Sequence, residues 1–217
     1  MMDRVWLVWS WLRVACTILF HKLVIIVAGC HLNAHLPPSF RLSWRRMLVH
    51  DLSKFHPAEI FPYACHYYGT NAGKRRDQDP DFDLAFAHHT AHNDHHPEFF
   101  ETKSGEVGRM NDAALVEMVA DLFAANQAYQ GSWPRPGEWA WLQRNWPTLH
   151  VHPVDKALLG AILSVLGFEA DIPSFDWNDA ELAISGEQDD DATAVKKFRE
   201  LREAYNKKQR EHTKKSQ

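Results

Sequence analysis

Glycine is scarce in this chain, 10 residues in 217, and no glycine-rich loop of the kind that cradles phosphate can be traced in it. Cysteine is scarcer still. Cys16, Cys30 and Cys65 are odd in number, far apart and never in Cys-x-x-Cys spacing. That argues against a thiolate zinc site and predicts reduced, mostly buried thiols in a reducing compartment. There is no basic excess: 24 Lys and Arg against 28 Asp and Glu leave a net charge of -4, which weakens a nucleic-acid reading. No internal repeat is found, and no uncharged apolar run reaches the roughly 18 residues that a membrane span needs. Residues 5–30 are rich in Trp, Leu, Val and Ile, but Arg13, His21 and Lys22 interrupt them and no small-residue cleavage site follows. The expectation is a buried first helix in a cytoplasmic protein, with membrane association or an organelle-targeting segment as alternatives.

What is present in excess is histidine. Of 14 histidines, 11 fall between His21 and His96, which places the chemistry in the first half of the chain. His50-Asp51-Leu52-Ser53-Lys54-Phe55 sets a neutral imidazole beside a carboxylate, two metal-ligand types that can converge on one ion where a helix opens at its last turn. A bare His-Asp pair is most often two neighbours without a joint role. Here it follows the apolar run Met47, Leu48, Val49, and His88-His89-Thr90-Ala91-His92-Asn93-Asp94-His95-His96 comes some forty residues later. Five imidazoles in nine residues are hard to explain by packing, and the two stretches together predict a shared metal centre.

Few glycines and many helix-compatible segments predict an all-α fold. Residues 4–33 read as one or two helices ended by Pro37-Pro38. Ser39 or Ser43 caps the next helix, which runs to about Leu52. It carries Arg41, Arg45 and Arg46, either a solvated basic face or a group facing an anionic substrate. Pro57 opens a third helix with Glu59 near its positive end and Phe61, Ala64, Cys65 and Tyr68 as its stripe. A loop from Gly69 to Pro80 precedes a helix that carries the histidines. His88 and His92 align at i, i+4, with His95 at i+3; His89, His92 and His96 form the other row. His92 belongs to both, and Asn93 and Asp94 are partners for the far ring nitrogens. Asn111 caps a helix to about Tyr129 with Leu115, Met118, Val119 and Leu122 inward. Asp121 lies at the margin of that stripe and needs a partner if buried, a metal or a salt bridge. Trp139, Trp141 and Trp146 pack back on the bundle, and His150 and His152 read as structural. The expected organisation is a metal-binding helical domain over residues 1–170, the first 14 being an extension. An acidic linker, Glu187–Asp191, and a charged amphipathic helix suited to docking or self-association follow within residues 171–217.

The order His21, His50-Asp51, the His88–His96 run and Asp121 resembles the HD-domain superfamily of helical metal-dependent phosphohydrolases. It looks closer still to an uncharacterised bacterial and phage family within that pattern, over roughly residues 15–165. The matching stretches are His21-Lys22, His50 to Phe55, His88 to His96 and Glu117-Met118-Val119-Ala120-Asp121, with Leu149 to Pro153 weaker. Leu122 and Asn111 stand where that family usually has Trp and Pro. The resemblance implies an HD-like bundle in which His21, His50, Asp51 and Asp121 hold one divalent ion. His88 or His89, His92, and His95 or His96 would hold a second, with Asp51 bridging. Mn, Fe, Co, Ni and Zn all suit such ligands.

The implied function is hydrolysis of a small phosphomonoester or phosphodiester, a nucleotide among the candidates. The metal ligand Asp51, Lys54 against the phosphate and a free histidine, His92, moving the proton would be the catalytic residues. Two alternatives stand beside it: a non-catalytic, metal-stabilised binding module, and an HD-type di-iron oxygenase. No nucleic-acid partner is predicted, and membrane contact is the less favoured reading.

Overall fold

The computed structural model describes residues 4–186 and 192–215; the stretch expected to be an acidic linker, Glu187–Asp191, lies outside the described residues. Those described form an all-α protein with nine α-helices and no strand, only an isolated bridge between Glu101 and Val107. The first helix, α1 (Arg4–His35), turns Val14, Ile18, His21, Ile25, Ala28 and Leu32 inward at spacings of three and four. It lies along α3 (Pro57–Tyr68) and α5 (Asp112–Gln130). Full burial of a side chain such as Ile25 or Leu32 is worth about 1.5–3 kcal/mol, so this one face holds α1 firmly.

Short-range signals set the other helices. Ser43 Oγ accepts a hydrogen bond from Arg46 N (3.3 Å) and starts α2 (Trp44–Val49). Asp79 accepts from Phe82 N (3.3 Å) ahead of α4 (Pro80–His92), and Asn111 from Ala114 N (2.9 Å) ahead of α5. Two apolar clusters result. One joins α1, α3 and α4 through Val14, Ile18, Ile60, Tyr63, Phe82 and Ala85. The larger joins α1 and α5 to α7 (Pro153–Leu166), whose Leu158, Leu159, Ile162 and Leu163 are fully buried. His21 falls between the two clusters on α1, so the seam between them is where polar groups collect.

Two expectations need correction. The inward face of α3 is Glu59, Ile60, Tyr63 and Ala64, one position round from the stripe expected; Phe61 is exposed. Cys16 and Cys30 are exposed and Cys65 is half-buried, because the first two fall on the outer side of α1. Residues 8–35 of α1 are, by length and composition, long and apolar enough to cross a membrane once Arg13 and Lys22 are tolerated. Yet 39% of the most apolar window is buried within the protein. Residues 171–186 and 192–215 pack against the rest of the described chain. After α6 (Ala140–Asn145), both α8 (Trp177–Ser185) and α9 (Ala192–Lys215) pack on α7, and Ala194, Phe198 and Leu201 of α9 lie in the main core. The apolar stripe of the last helix is thus taken up by its own chain.

The joint is close-packed. A methyl group on Gly160 of α7 would come within 2.2 Å of the Phe175 ring. Gly160→Ala should therefore destabilise the whole protein by roughly 1–3 kcal/mol in urea unfolding. An unchanged midpoint would mean that residues 171–185 come away from α7 at no cost.

Candidate metal centre

The centre begins with a change of backbone direction. α2 ends at Val49, His50 leaves the helix, and Asp51 adopts a left-handed conformation (φ 56°, ψ 22°) before a 3-10 turn over Leu52–Phe55. Adjacent side chains thereby converge: His50 Nε2 lies 3.4 Å from Asp51 Oδ2. The tight turn also brings Lys54 back, its Nζ donating to Asp51 Oδ2 at 2.5 Å.

Around the two oxygens of Asp51 stand two groups. Near Oδ2 are His50 and His21, the latter at 3.8 Å; His21 Nε2 is 3.3 Å from His50 Nε2 and 2.9 Å from Asp121 Oδ1. Near Oδ1 are His89 Nε2 (3.3 Å) and His95 Nε2 (3.4 Å), with His96 Nε2 3.0 Å from His89 Nε2. Ligand atoms at about 2.0–2.2 Å from a common ion stand roughly 3–3.5 Å from one another, which is the spacing most of these atoms already have. Each group can hold a metal ion, and Asp51 belongs to both. Among the described residues, three buried side-chain atoms lack any hydrogen-bond partner: Asp51 Oδ1, His95 Nε2 and His21 Nδ1. The first two face each other inside the second group, the signature of atoms shaped for something other than a protein donor.

Two of the outer nitrogens, those of His50 and His89, are fixed. His50 Nδ1 is 2.9 Å from Glu117 Oε1, and Arg46 braces Glu117 and Asp94 together. His89 Nδ1 is 3.0 Å from Glu59 Oε2, and Ser53 Oγ donates to the same oxygen (3.2 Å). Lys22 Nζ donates to the His50 carbonyl (2.6 Å). These partners fix ring orientation and tautomer. Electrostatics follow the carboxylates. Burial opposes the charge on Asp51, but His50, Lys54 and His89 outweigh it and hold its pKa well below the usual range; His21 and His50 do the same for Asp121. Burial likewise opposes a proton on His50, yet Asp51, Asp121 and Glu117 raise its pKa to about 10. Burial and then the His50 charge push His95 well below its ordinary value.

Of the residues expected at the site, the structure brings together His21, His50, Asp51, Lys54, His89, His95, His96 and Asp121. It leaves out two. His92 is exposed, with Nδ1 turned to the His88 carbonyl (2.7 Å), and His88 is half-exposed against Glu59 Oε1 (2.7 Å). The cause is that α4 stops at His92. Asn93 is extended and its Nδ2 donates to the His89 carbonyl (2.7 Å), so His95 and His96 return from a turn and do not continue a helical row. The stripe Phe82, Ala85, His89 marks the inward face. On α2, Arg46 is engaged by Glu117 and Asp94 and Arg45 is exposed; Arg41, also exposed, precedes the helix. His152 caps α7 and His150 is exposed. Sequence reasoning gave no role to Glu117 or to the buried side of Glu59. Glu117 had a signal, since it precedes Asp121 by four residues on one helix face.

A helical protein with a buried histidine-carboxylate cluster able to hold metal is thus the class that fold and site define. Residues 10–165 match DUF5662, a family of unknown function, and the chain belongs to that family; α8 and α9 lie beyond the match. No curated protein and no solved structure matches the chain significantly.

Elemental analysis after purification without chelator should find that His89→Ala and His95→Ala lose metal whereas His92→Ala keeps the wild-type content. Loss in His92→Ala equal to that in His89→Ala would place the second group wrongly. A further expectation concerns the metal-free protein. A group whose pKa rises from 6.5 to about 10 on folding adds stability that is complete below 6.5 and fades as pH climbs toward 10. Urea midpoints of chelator-treated protein should fall between pH 7 and 10, and Asp51→Asn should flatten that slope.

Proposed function

We propose that the protein is a metal-dependent phosphohydrolase acting on a small phosphate ester, as its resemblance to the HD pattern implies. One observation carries the reading: a buried aspartate shared by two three-residue groups, His21, His50 and Asp121 on one side and His89, His95 and His96 on the other, with a lysine against it. His21, His50, Asp51 and Asp121 would hold one divalent ion, and Asp51, His89, His95 and His96 a second. Divalent ions bound there supply Lewis-acid polarisation of a phosphoryl oxygen and a water of lowered pKa.

The chain's own residues do the rest. Lys54 lines a cavity of about 120 Å³ together with His21, Tyr63, Tyr67 and Tyr129. Burial works against its charge, but Asp51 outweighs that, so it stays protonated and neutralises charge gathering on a phosphoryl oxygen in that cavity. Glu117 and Glu59 hold His50 and His89 in single orientations, and Arg46 holds Glu117. His92, exposed on α4, is too far out for a role in proton transfer, and none is assigned to it.

The near-complete burial of Asp51, His50, His89 and His95 favours a second reading, a closed structural metal site in a binding module. The experiment that separates the two measures metal content and hydrolysis of p-nitrophenyl phosphate and a panel of phosphate esters with Mn, Fe, Co, Ni and Zn. Hydrolysis should fall at least 100-fold in Lys54→Met with metal content preserved. A metal-replete wild type that hydrolyses nothing, and loses only stability on chelation, would overturn the hydrolase; two irons with oxygen consumption would replace it by oxygen chemistry.

A further inference from the structure

The cavity beside His21 and Lys54 is small. A dry cavity of about 150 Å³ accommodates benzene, so about 120 Å³ leaves room for a phosphoryl group and little more. Any larger organic part of the substrate must lie elsewhere, and one wall shows where. Tyr129 lines this cavity and also a second, larger cleft of about 660 Å³ that follows α5. Leu122, the residue after Asp121, stands in the cleft wall; Ala125 and Tyr129 follow Asp121 by four and eight residues and continue its face. The cleft therefore starts beside the candidate ligand Asp121 and extends about 12 Å along the helix axis. Its volume lies within the range of small-molecule sites.

Its chemistry is selective. Trp133, Trp139 and Trp141 line it, Trp133 and Trp141 with 39% and 40% of their surface exposed and Trp139 buried. The charged lining groups are Arg135, Arg144 and Glu138, two cations against one anion. Glu138 lies 4.0 Å from Arg135, whereas Arg144 Nε donates to the Ala140 carbonyl. Partly exposed indoles beside guanidinium groups offer stacking and cation-π contacts to a flat ring and little to a short aliphatic chain.

We infer that this cleft is the subsite for the alcohol part of the substrate, and that the part it takes is a flat aromatic group, a nucleobase or an aryl ring, joined to the phosphoryl group across Tyr129. The inference rests on the phosphohydrolase reading for the position of the phosphoryl group. Its test does not need turnover. Binding of adenosine monophosphate, phenyl phosphate and glycerol 1-phosphate to the full-length metal-loaded protein would be followed by calorimetry at a temperature where no product forms during the titration. The two aromatic esters should bind at least tenfold more tightly than glycerol 1-phosphate. Trp141→Ala should cut that preference at least tenfold, and Trp141→Phe, which keeps a ring, should restore most of it; a merely structural loss would not be selective among ligands. Phenyl phosphate equal to adenosine monophosphate would identify the ring alone as the recognised group, and a large excess for the nucleotide would identify the base. Equal binding of all three esters, or of none, overturns the subsite. Aromatic preference without hydrolysis of any ester leaves the subsite and overturns the hydrolase, whereas hydrolysis without aromatic preference does the reverse.

Discussion

A carboxylate 1% exposed, set among imidazoles from three parts of the chain, is the constraint on which this structure depends. A buried charge without partners costs several kcal/mol, and the surrounding chain is arranged to prevent that cost. α1 supplies His21, the end of α2 supplies His50, α4 and the turn after it supply His89, His95 and His96, and α5 supplies Asp121. None of these segments could slide along its neighbours without exposing or orphaning a charged group, so the polar seam fixes a register that the apolar contacts on either side would leave looser.

The support extends outward through carboxylates and one arginine. Glu117 touches His50, Arg46 touches Glu117 and Asp94, and Asn111 Nδ2 donates to Asp94 at 3.1 Å. Thus the residue that caps α5 is also joined to the turn that carries His95. On the other side Glu59, wholly buried in the first turn of α3, meets both His88 and His89. Where such a partner supports a metal ligand, its removal typically costs 10–100-fold in metal affinity, so Glu117, which also stands in a group with His50 and His95 able to hold an ion, and Glu59 belong with the candidate site.

Much of this was legible beforehand, for reasons that differ by residue. Composition alone indicated helices. The convergence of His50 and Asp51 followed from a helix ending at that point, and the caps at Ser43 and Asn111 from local chemistry. His92 was misread because a helical row assumes that the helix continues, and the end of α4 depends on Asn93, whose amide finds the His89 carbonyl and Ser53 Oγ. Glu59 was hidden because an acidic residue in a first turn has an ordinary explanation, and only the packing of α3 on α4 turns it inward. The amphipathic pattern of α9 was visible, but periodicity cannot say whether the partner of an apolar stripe is another molecule or, as here, α7 and α8.

The left-handed backbone at Asp51 narrows what evolution can do at this position. Aspartate and asparagine are the side-chain-bearing residues that enter that conformation most readily, and of the two only aspartate brings the charge. Backbone and chemistry thus apply separate filters to one codon, and together they pass a single amino acid. Asparagine and glycine, each a single base change away, are exits that keep the turn and drop the charge. A copy of this gene that took either would retain the chain path while giving up the buried carboxylate, and that loss could be read from one letter.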